Sequence, residues 1–550
     1  MPTAYELLSQ GKHEELWDMC CGYLKLTLEE FMQIQERLLL AQLALFNNSS
    51  LGQKITKGKT PKTVDEFREF VPLTTYKNYC PELLEKKDEL LPAQPGQWVH
   101  SSGRSGEYKF KWVPYSKEFT KELGIISYGI GLIASSRQYG ETTQMPLHPR
   151  IMYAVAPRPY ISGALAAGIS EQADTHYIPP LEEAETMAFD ERIKEGFSLA
   201  LDSGFDFFFG LSLVLETVGN RFTESSQSVK IMPLFTKPKS LFRLAKGKLS
   251  SKLQKRPMLP KDLWHVRGII GSGLDSFIYR DKIQQMWGRN PLDIYAGSEG
   301  GIYATQTWDY NTMTLIPNLN FFEFIPEDEH IKNLMDSSYQ PKTLLLDEVQ
   351  PGKLYEIVIT NFHGGSLVRY RPGDMIRVVS LQNEQSKIST PQILFERRAD
   401  DIVDFFVVRL TEKAIWQAIE ESGIGYIDWM AGKNPGEPVL NLYIELREHE
   451  NITESDLADI IYQKLMQNNP GKADMLDDSF MDSVGFKVVV HYLTQGTFAA
   501  YLARKQAEGA DLAHLKPPHL GSSEMLLSIM GHTTKEYITV SSAGSSEVKN

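Results

Sequence analysis

The chain has 550 residues, too many for one compact core, so two or three domains are the default expectation. At 42% hydrophobic and 23% charged it has the composition of a soluble globular protein, and a net charge of −13 gives no footprint for a nucleic-acid partner. Cys20, Cys21 and Cys80 cannot build a disulfide framework and lack zinc-type spacing, which points to free thiols in a reducing cytoplasm.

The start of the chain, "MPTAYELLSQGKHEELW", has neither the basic lead nor the apolar core of a signal peptide. "TLEEFMQIQERLLLAQLALF" (27–46) predicts a helix. Thr27 and Glu30 have capping-box spacing, and Phe31, Ile34, Leu38, Ala41 and Leu45 fall on one face. "NNSSLGQKITKGKTPKT" then reads as a loop. "GQWVH" and "KWVPYS" read as extended segments around the small-residue stretch "SSGRSGEYKF" (101–110).

Further on, strand-like runs ("RIMYAVA", "PLDIYA", "LYEIVITNF") alternate with helical ones ("FIYRDKIQQMWG"), the pattern of an α/β layered domain. "FDFFFGLSLVLETVG" (205–219) is too short to span a membrane and carries Asp206 and Glu216, so it reads as core or as the wall of an apolar pocket. Residues 237–261 hold nine Lys/Arg and read as a solvated helical face. After about residue 400, "TEKAIWQAIEES" and "TESDLADIIYQKLMQ" are helical, whereas "VLNLYIEL" and "FKVVVHYL" are strand-like. This is a small α+β unit, followed by a tail expected to be disordered.

Five segments have the residue types for chemistry. Successive small residues in "SSGRSGEYK" let backbone N–H groups and serine hydroxyls converge on an anion, with Lys109 adding charge, although this is no Walker A loop and such a loop alone is more often a flexible turn. In "DIYAGSEGGIYATQ" (293–306) Tyr295 offers a flat face, Ser298 a donor and Glu299 a metal ligand. The same residues also read as an A-x-S-x-G nucleophile elbow with Ser298 as nucleophile, or as a plain glycine turn. "RYRPGD" (369–374) sets Asp374 after a turn, where a carboxylate can take both ribose hydroxyls or simply pair with arginine. "FERRADDIVDFF" (395–406) suits a hinge, and "AHLKPPHL" (513–520) carries Lys516 in a short extended loop.

In this order the segments resemble the adenylate-forming superfamily of acyl and aryl ligases, and most closely the GH3 family of acyl acid–amido synthetases. "EFVPLTTYKNY" (69–79), "APRPYISGAL" (156–165), "YAGSEG" (295–300), "YEIVITNFHGGSLVRYRPGD" (355–374) and "GTFAAYLARKQAEGADLAHLKPPHL" (496–520) carry the closer match. The resemblance implies an α/β fold with a large, multi-sheet N-terminal domain (1–398) that binds ATP and the acid. A small mobile α+β domain (399–550) would carry the late lysine and end in the tail 541–550. It implies ATP and Mg²⁺, a small carboxylic acid and an amino acid as substrates, and AMP and pyrophosphate as products. A thioester-forming ligase of the same superfamily is the alternative.

By the same resemblance Ser101, Ser102, Gly103, Arg104, Ser105 and Lys109 line the phosphate loop, and Gly273 and Tyr295 border the adenine. Ser298 contacts the α-phosphate, Glu299 the metal, Asp374 the ribose with help from Arg398; Asp400 is the hinge and Lys516 acts in adenylation. The chain departs from the family at Arg104, where relatives usually carry Thr, at Tyr108, and at Pro518-His519, where Pro-Arg is expected. A serine hydrolase built on Ser298 and a non-catalytic binding protein are the readings from other classes. The acyl pocket is expected among residues 120–135, 160–165 and 205–215.

Overall fold

The first long helix, Leu28–Asn47, begins where the sequence calls for it: the Thr27 hydroxyl accepts from Glu30 N, and the Glu30 carboxylate accepts from Thr27 N. Its buried face differs from the one apolar spacing predicts. Phe31 is buried, but Leu45 is exposed, and the face that packs is Phe31, Gln35, Leu39, Gln42, Leu43 and Phe46. Two glutamines go in because each meets main chain. Gln35 donates to the carbonyls of Pro317 and Asn320 (2.8 Å each) and accepts from Phe322 N (2.9 Å). Gln42 donates to Gly365 O and accepts from Gly364 N, both at 2.8 Å. The stretch expected to be a loop contains a helix, Ser50–Thr56. Ser49 caps it by accepting from Gly52 N, Leu51 and Ile55 are buried, and the left-handed Lys57 and Gly58 end it.

The computed structural model describes residues 2–101, 110–142, 144–224, 238–272, 276–336, 338–398, 402–404, 409–433, 437–447, 450–468, 485–507 and 519–522. They form two compact units, one from the chain up to Arg397 and one from Arg398 onward.

In the first unit β1 (Pro95–His100) and β2 (Trp112–Ser116) make an antiparallel hairpin. An eleven-stranded sheet follows, built from β3 (Arg150–Ala154), β4 (His176–Ile178), β5 (Phe207–Gly210), β6 (Gly268–Ser272), β7 (Pro291–Gly297), β8 (Gly301–Gln306), β9 (Met313–Leu315), β10 (Asn320–Pro326), β11 (Leu354–Asn361), β12 (Asp374–Ser380) and β13 (Gln392–Arg398). The order is β10-β11-β12-β13-β9-β8-β7-β6-β5-β3-β4. Strands β3 to β7 run parallel, and from β8 the pairing turns antiparallel.

The parallel strands are continuous apolar runs, as strands covered on both faces must be. One cover is the helix Lys117–Ser135, buried throughout Leu123–Ser135. It lies close against the helix Ile161–Gln172 because Gly124 and Gly168 face each other without side chains. Residues 205–219 are core, as expected, but they divide into β5 and the helix Ser212–Glu224. The basic stretch forms the helix Pro238–Leu253, which turns Ser240 and Gly247 inward and its lysines outward, as a solvated face requires.

The second unit contains a short hairpin, β14 (Ile402–Asp404) with β15 (Arg409–Thr411). Beside it is a four-stranded sheet in the order β18 (Lys487–Tyr492), β17 (Val439–Leu446), β16 (Tyr426–Lys433), β19 (Leu520–Ser522). The helices Glu412–Ser422, Glu454–Asn468 and Thr497–Ala507 belong with it, an α+β arrangement. Among the described residues no helix is long and apolar enough to cross a membrane.

Gln35→Leu keeps the volume of the buried side chain but strips partners from two carbonyls and one N–H. A loss of roughly 1–3 kcal/mol in urea unfolding is expected. A change under about 0.5 kcal/mol, within the range of an ordinary surface substitution, would show that those groups find other partners.

Candidate active site

The β7–β8 connection, Gly297–Gly301, is a tight hairpin turn with Gly301 in the left-handed region (φ +73°). Its three successive carbonyls are all taken by side chains from elsewhere. Tyr115 Oη donates to Ser298 O (2.9 Å), Asn361 Nδ2 to Glu299 O (2.9 Å) and Asn320 Nδ2 to Gly300 O (2.7 Å). Asn361 Nδ2 also reaches Asn320 Oδ1 (3.0 Å), and Asn361 Oδ1 accepts from Leu367 N (3.1 Å). Burial, followed by the nearby Glu299 carboxylate, holds the Tyr115 hydroxyl well above its usual range, so it stays protonated as a donor. Gly297 and Gly300 leave no room for a Cβ, because both lie against the ring of Tyr303. Main chain fixed in this way carries two polar side chains, and the buried Ser298 donates its hydroxyl to Glu299 Oε2 (3.0 Å).

Three residues before Ser298, the Tyr295 hydroxyl donates to Asp374 Oδ2 (2.6 Å), both residues being buried. Asp374 opens β12, directly after Gly373 (φ +80°). On a flat sheet β7 and β12 would stand four strand spacings apart, about 19 Å. A tyrosine cannot bridge that distance, so the antiparallel half of the sheet must curl until the two strands face each other. The same curl brings Asn320 and Asn361, which are register partners on β10 and β11, to the Ser298 turn. The Tyr295 ring packs edge-on to Tyr303 and Phe395, with centroids at 4.8 and 5.8 Å.

The hairpin β1–β2 supplies another part. Ser101 N donates to Lys111 O (3.0 Å) and Ser101 Oγ accepts from Lys111 N (3.2 Å), so this serine closes the hairpin at the foot of the Ser/Gly loop. His100 N donates to Pro159 O, and its ring lies 4.6 Å from that of Tyr160, which joins "APRPYISGAL" to the hairpin's end. Through Tyr115 on β2 the hairpin is tied to the Ser298 turn.

The arginines of "RYRPGD" are not a surface pair. Arg369, with φ +42°, is buried and forms a two-pronged ion pair with Glu323 (3.0 and 2.8 Å). Arg371 does the same with Glu356 (2.8 and 2.7 Å), which also meets His330 Nδ1 at 2.7 Å. Burial raises the Glu356 pKa, but His330 and Arg371 outweigh it and hold the carboxyl below its ordinary value. The 69–79 segment locks in here, with Thr74 N donating to Arg369 O and Arg371 N to Thr74 O.

Of the residues singled out in the sequence, the structure gathers Tyr295, Ser298, Glu299 and Asp374 around one turn and sets Ser101 on the hairpin joined to it. Arg398 ends β13. Ser102, Gly103, Arg104, Ser105, Tyr108, Lys109, Gly273, Asp400 and Lys516, together with the tail, lie outside the described residues. The hydrolase reading loses its basis. Ser298 sits in a strand-to-strand hairpin rather than a strand-to-helix elbow, is not in a left-handed conformation, and donates to a carboxylate. The clamp residues Tyr115, Asn320 and Asn361 escaped the sequence reading; the one signal for them was the polar Asn361 that ends the apolar run "YEIVIT".

Residues 22–155 match the GH3 family N-terminal domain, and residues 313–398 match the GH3 family central domain. Two separate stretches of the chain thus match domains of the GH3 family. Ser101, Tyr115, Asn320, Asn361 and Asp374 all lie within these matches. A jasmonoyl–L-amino acid synthetase of Nicotiana attenuata is 27% identical over 284 residues, covering 48% of this chain and 45% of the relative. A second, from Oryza sativa subsp. japonica, is 31% identical over 177 residues, 30% of this chain and 29% of the relative. The chain thus spans less than half the length of these curated relatives. Among solved structures, a 2-hydroxyisobutyryl-CoA ligase in complex with 2-HIB-AMP and CoA shares the fold, with a TM-score of 0.51 at 12% identity over 94% of both chains.

In the second unit His519, where the resemblance leads us to expect arginine, bridges two acids: Nδ1 lies 2.8 Å from Glu412 Oε1 and Nε2 2.9 Å from Asp428 Oδ1. Its ring stacks on Trp429 at 4.5 Å. Burial pulls its pKa down, but the hydrogen bonds to Asp428 and Glu412 prevail and raise it above the ordinary histidine value. The imidazolium therefore stabilises the fold fully below the unfolded value of about 6.5, and that contribution is lost as pH rises through the higher folded value. The advantage of wild type over His519→Gln in thermal unfolding should be largest near pH 6 and shrink toward pH 9. An advantage independent of pH would mean that the contact is packing rather than charge.

Proposed function

We propose that this chain is an ATP-dependent, AMP-forming acyl acid–amido synthetase. It activates a small carboxylic acid as the acyl-adenylate and transfers the acyl group to the amine of an amino acid. The observation that carries this reading is the immobilised Ser298–Glu299 turn beside the Tyr295–Asp374 pair in a chain with two stretches that match GH3 family domains. The names of the relatives, which are amino acid synthetases of acyl acids, support it. A cytoplasmic setting accompanies it, supported by Cys20, Cys21 and Cys80 standing as thiols rather than in disulfides.

In the first step a carboxylate oxygen attacks the α-phosphorus of ATP and the bond to pyrophosphate breaks. Two anions meet, so the residues that matter supply donors and positive charge. Ser298 would donate to the α-phosphate, and the Ser/Gly loop, closed at its foot by Ser101, would cradle the β- and γ-phosphates through Ser102, Gly103, Arg104, Ser105 and Lys109. Asp374, held by Tyr295, would take the ribose hydroxyls beside Arg398, while Tyr295 and Gly273 would border the adenine. Glu299 is the group that would hold Mg²⁺, and its carboxylate with a neighbouring hydroxyl is the oxygen donor set that suits this hard cation. When bound, the ion supplies positive charge against the phosphate oxygens. In the second step the amine nitrogen attacks the acyl carbon, the bond to AMP breaks, and the nitrogen loses a proton. Lys516, on the unit that begins near residue 399, would serve the first step and leave for the second by rotation about Asp400.

Acid- and Mg²⁺-dependent pyrophosphate exchange is expected, followed by amide formation when an amino acid panel is added. Exchange absent with every acid of a broad panel would sink the adenylation reading; a thioester on adding CoA in place of an amide would replace the acceptor. Lys516→Ala should slow adenylation by about 100-fold or more while sparing amide formation from a supplied acyl-adenylate. Equal loss in both half-reactions would mean that the lysine serves both. Asn361→Ala, which frees the Glu299 carbonyl, should lower the adenylation rate by about tenfold through mispositioning. An unchanged rate would show that the clamp is dispensable to chemistry.

A further inference from the structure

At the opposite edge of the parallel sheet from the Ser298 turn, two strand starts and one turn bring together His148, Asp174 and His176. The metal-ligating atoms of all three lie within 4.8 Å of one another. The backbone holds this arrangement firmly. β3 and β4 pair in parallel with Arg150 opposite His176, and His176 N donates to Pro149 O (2.9 Å), so the residues just before β3 and at the head of β4 stand side by side. Asp174 comes from the turn that follows the helix Ile161–Gln172, where Thr175 N donates to Ala173 O (2.9 Å), and its Oδ2 lies 2.9 Å from His148 Nδ1. The His148 and His176 rings are 6.3 Å apart at 31°, too far apart for a stacked pair.

We infer that His148, Asp174 and His176 form a zinc-binding site on this chain, independent of the site at Glu299. Two imidazoles and one carboxylate are borderline and hard donors of the type that bind Zn²⁺. Magnesium, which calls for oxygen ligands, would not select this set. At the usual Zn–N and Zn–O lengths of about 2.1 Å, tetrahedral donors sit about 3.4 Å apart. Donor atoms that lie within 4.8 Å of one another therefore need to close by at most about 1.4 Å, which exposed side chains on a fixed backbone can do by small rotations. Three protein ligands leave a coordination position for water or a further ligand. Both strand starts lie at the amino ends of β3 and β4, whereas Ser298 and Glu299 follow the carboxyl end of β7, so the metal ties the segment before β3 to the sheet without touching the proposed ATP site. The Tyr5 ring, 5.7 Å from that of His148, brings the amino-terminal helix against the same spot.

The test is a titration of the full chain, stripped with EDTA, with ZnCl₂, followed by calorimetry and by thermal unfolding, and with CoCl₂, followed by visible absorption. Wild type is expected to bind one equivalent more than His148→Ala/His176→Ala, to show a saturable rise in Tm with zinc that millimolar Mg²⁺ does not reproduce, and to give a cobalt band that the double variant lacks. Asp174→Asn, a change in an exposed turn that should not disturb folding, is expected to weaken zinc binding by about tenfold. Equal stoichiometry in wild type and the double variant, or an Asp174→Asn chain that binds zinc as tightly as wild type, would overturn the assignment.

Discussion

Everything at the candidate site depends on three backbone carbonyls. A hairpin turn between two core strands buries main-chain oxygens that water cannot reach, and each unpaired one would cost on the order of 1–3 kcal/mol. Here the oxygens of Ser298, Glu299 and Gly300 are met by Tyr115, Asn361 and Asn320, from the front hairpin and from the two strands at the far end of the sheet order. The demand for those partners and the curl of the sheet are one constraint seen from two sides. If the sheet were flat the carbonyls would be unmet, and without the polar partners nothing would draw the far strands round. The chemistry-bearing side chains of Ser298 and Glu299 are positioned by groups that never touch them.

The same economy of position appears in the buried arginines. A buried ion pair seldom adds net stability over an apolar pair, because both charges must leave water. Arg369 nevertheless directs five hydrogen bonds at fixed acceptors, Glu323, Thr343 and the carbonyls of Arg68 and Val71, and Arg371 directs three at Glu356 and Asn333. Such partners tolerate only one register. Thr74, between the helices Val64–Phe70 and Tyr76–Tyr79, is held in line with Tyr370, so Asp374 emerges from its turn at the spot where Tyr295 waits.

Much of the fold was legible because local signals agree with it. The capping box at Thr27 and Glu30, the apolar runs of β3, β7 and β11, and the helix-strand alternation beyond residue 400 all form as read. The errors share a cause. Gln35 and Gln42 fall off the apolar face drawn from spacing, yet their partners lie some 280 to 320 positions further along the chain; Ser49 looked like loop, yet its hydroxyl starts a helix. The site divides in the same way. Residue types and order pointed to Tyr295, Ser298, Glu299 and Asp374, but the clamp that fixes them consists of side chains whose role exists only once distant strands have met.

Gln35 has one more consequence. β10 ends the sheet order, and a strand in that position normally offers its free N–H and C=O groups to any other strand. The Gln35 amide takes the Asn320 carbonyl and the Phe322 N–H together, as a neighbouring peptide unit would. That side chain covers the first part of the β10 edge, and Leu344, which exchanges two main-chain hydrogen bonds with Phe324 (2.9 and 2.7 Å), covers the next. A chain begun after residue 48 would lose this cover together with the buried Trp17, Phe31, Leu39 and Phe46. It would be less stable, and part of its edge would be open to pairing with another copy, so its fate would also depend on concentration.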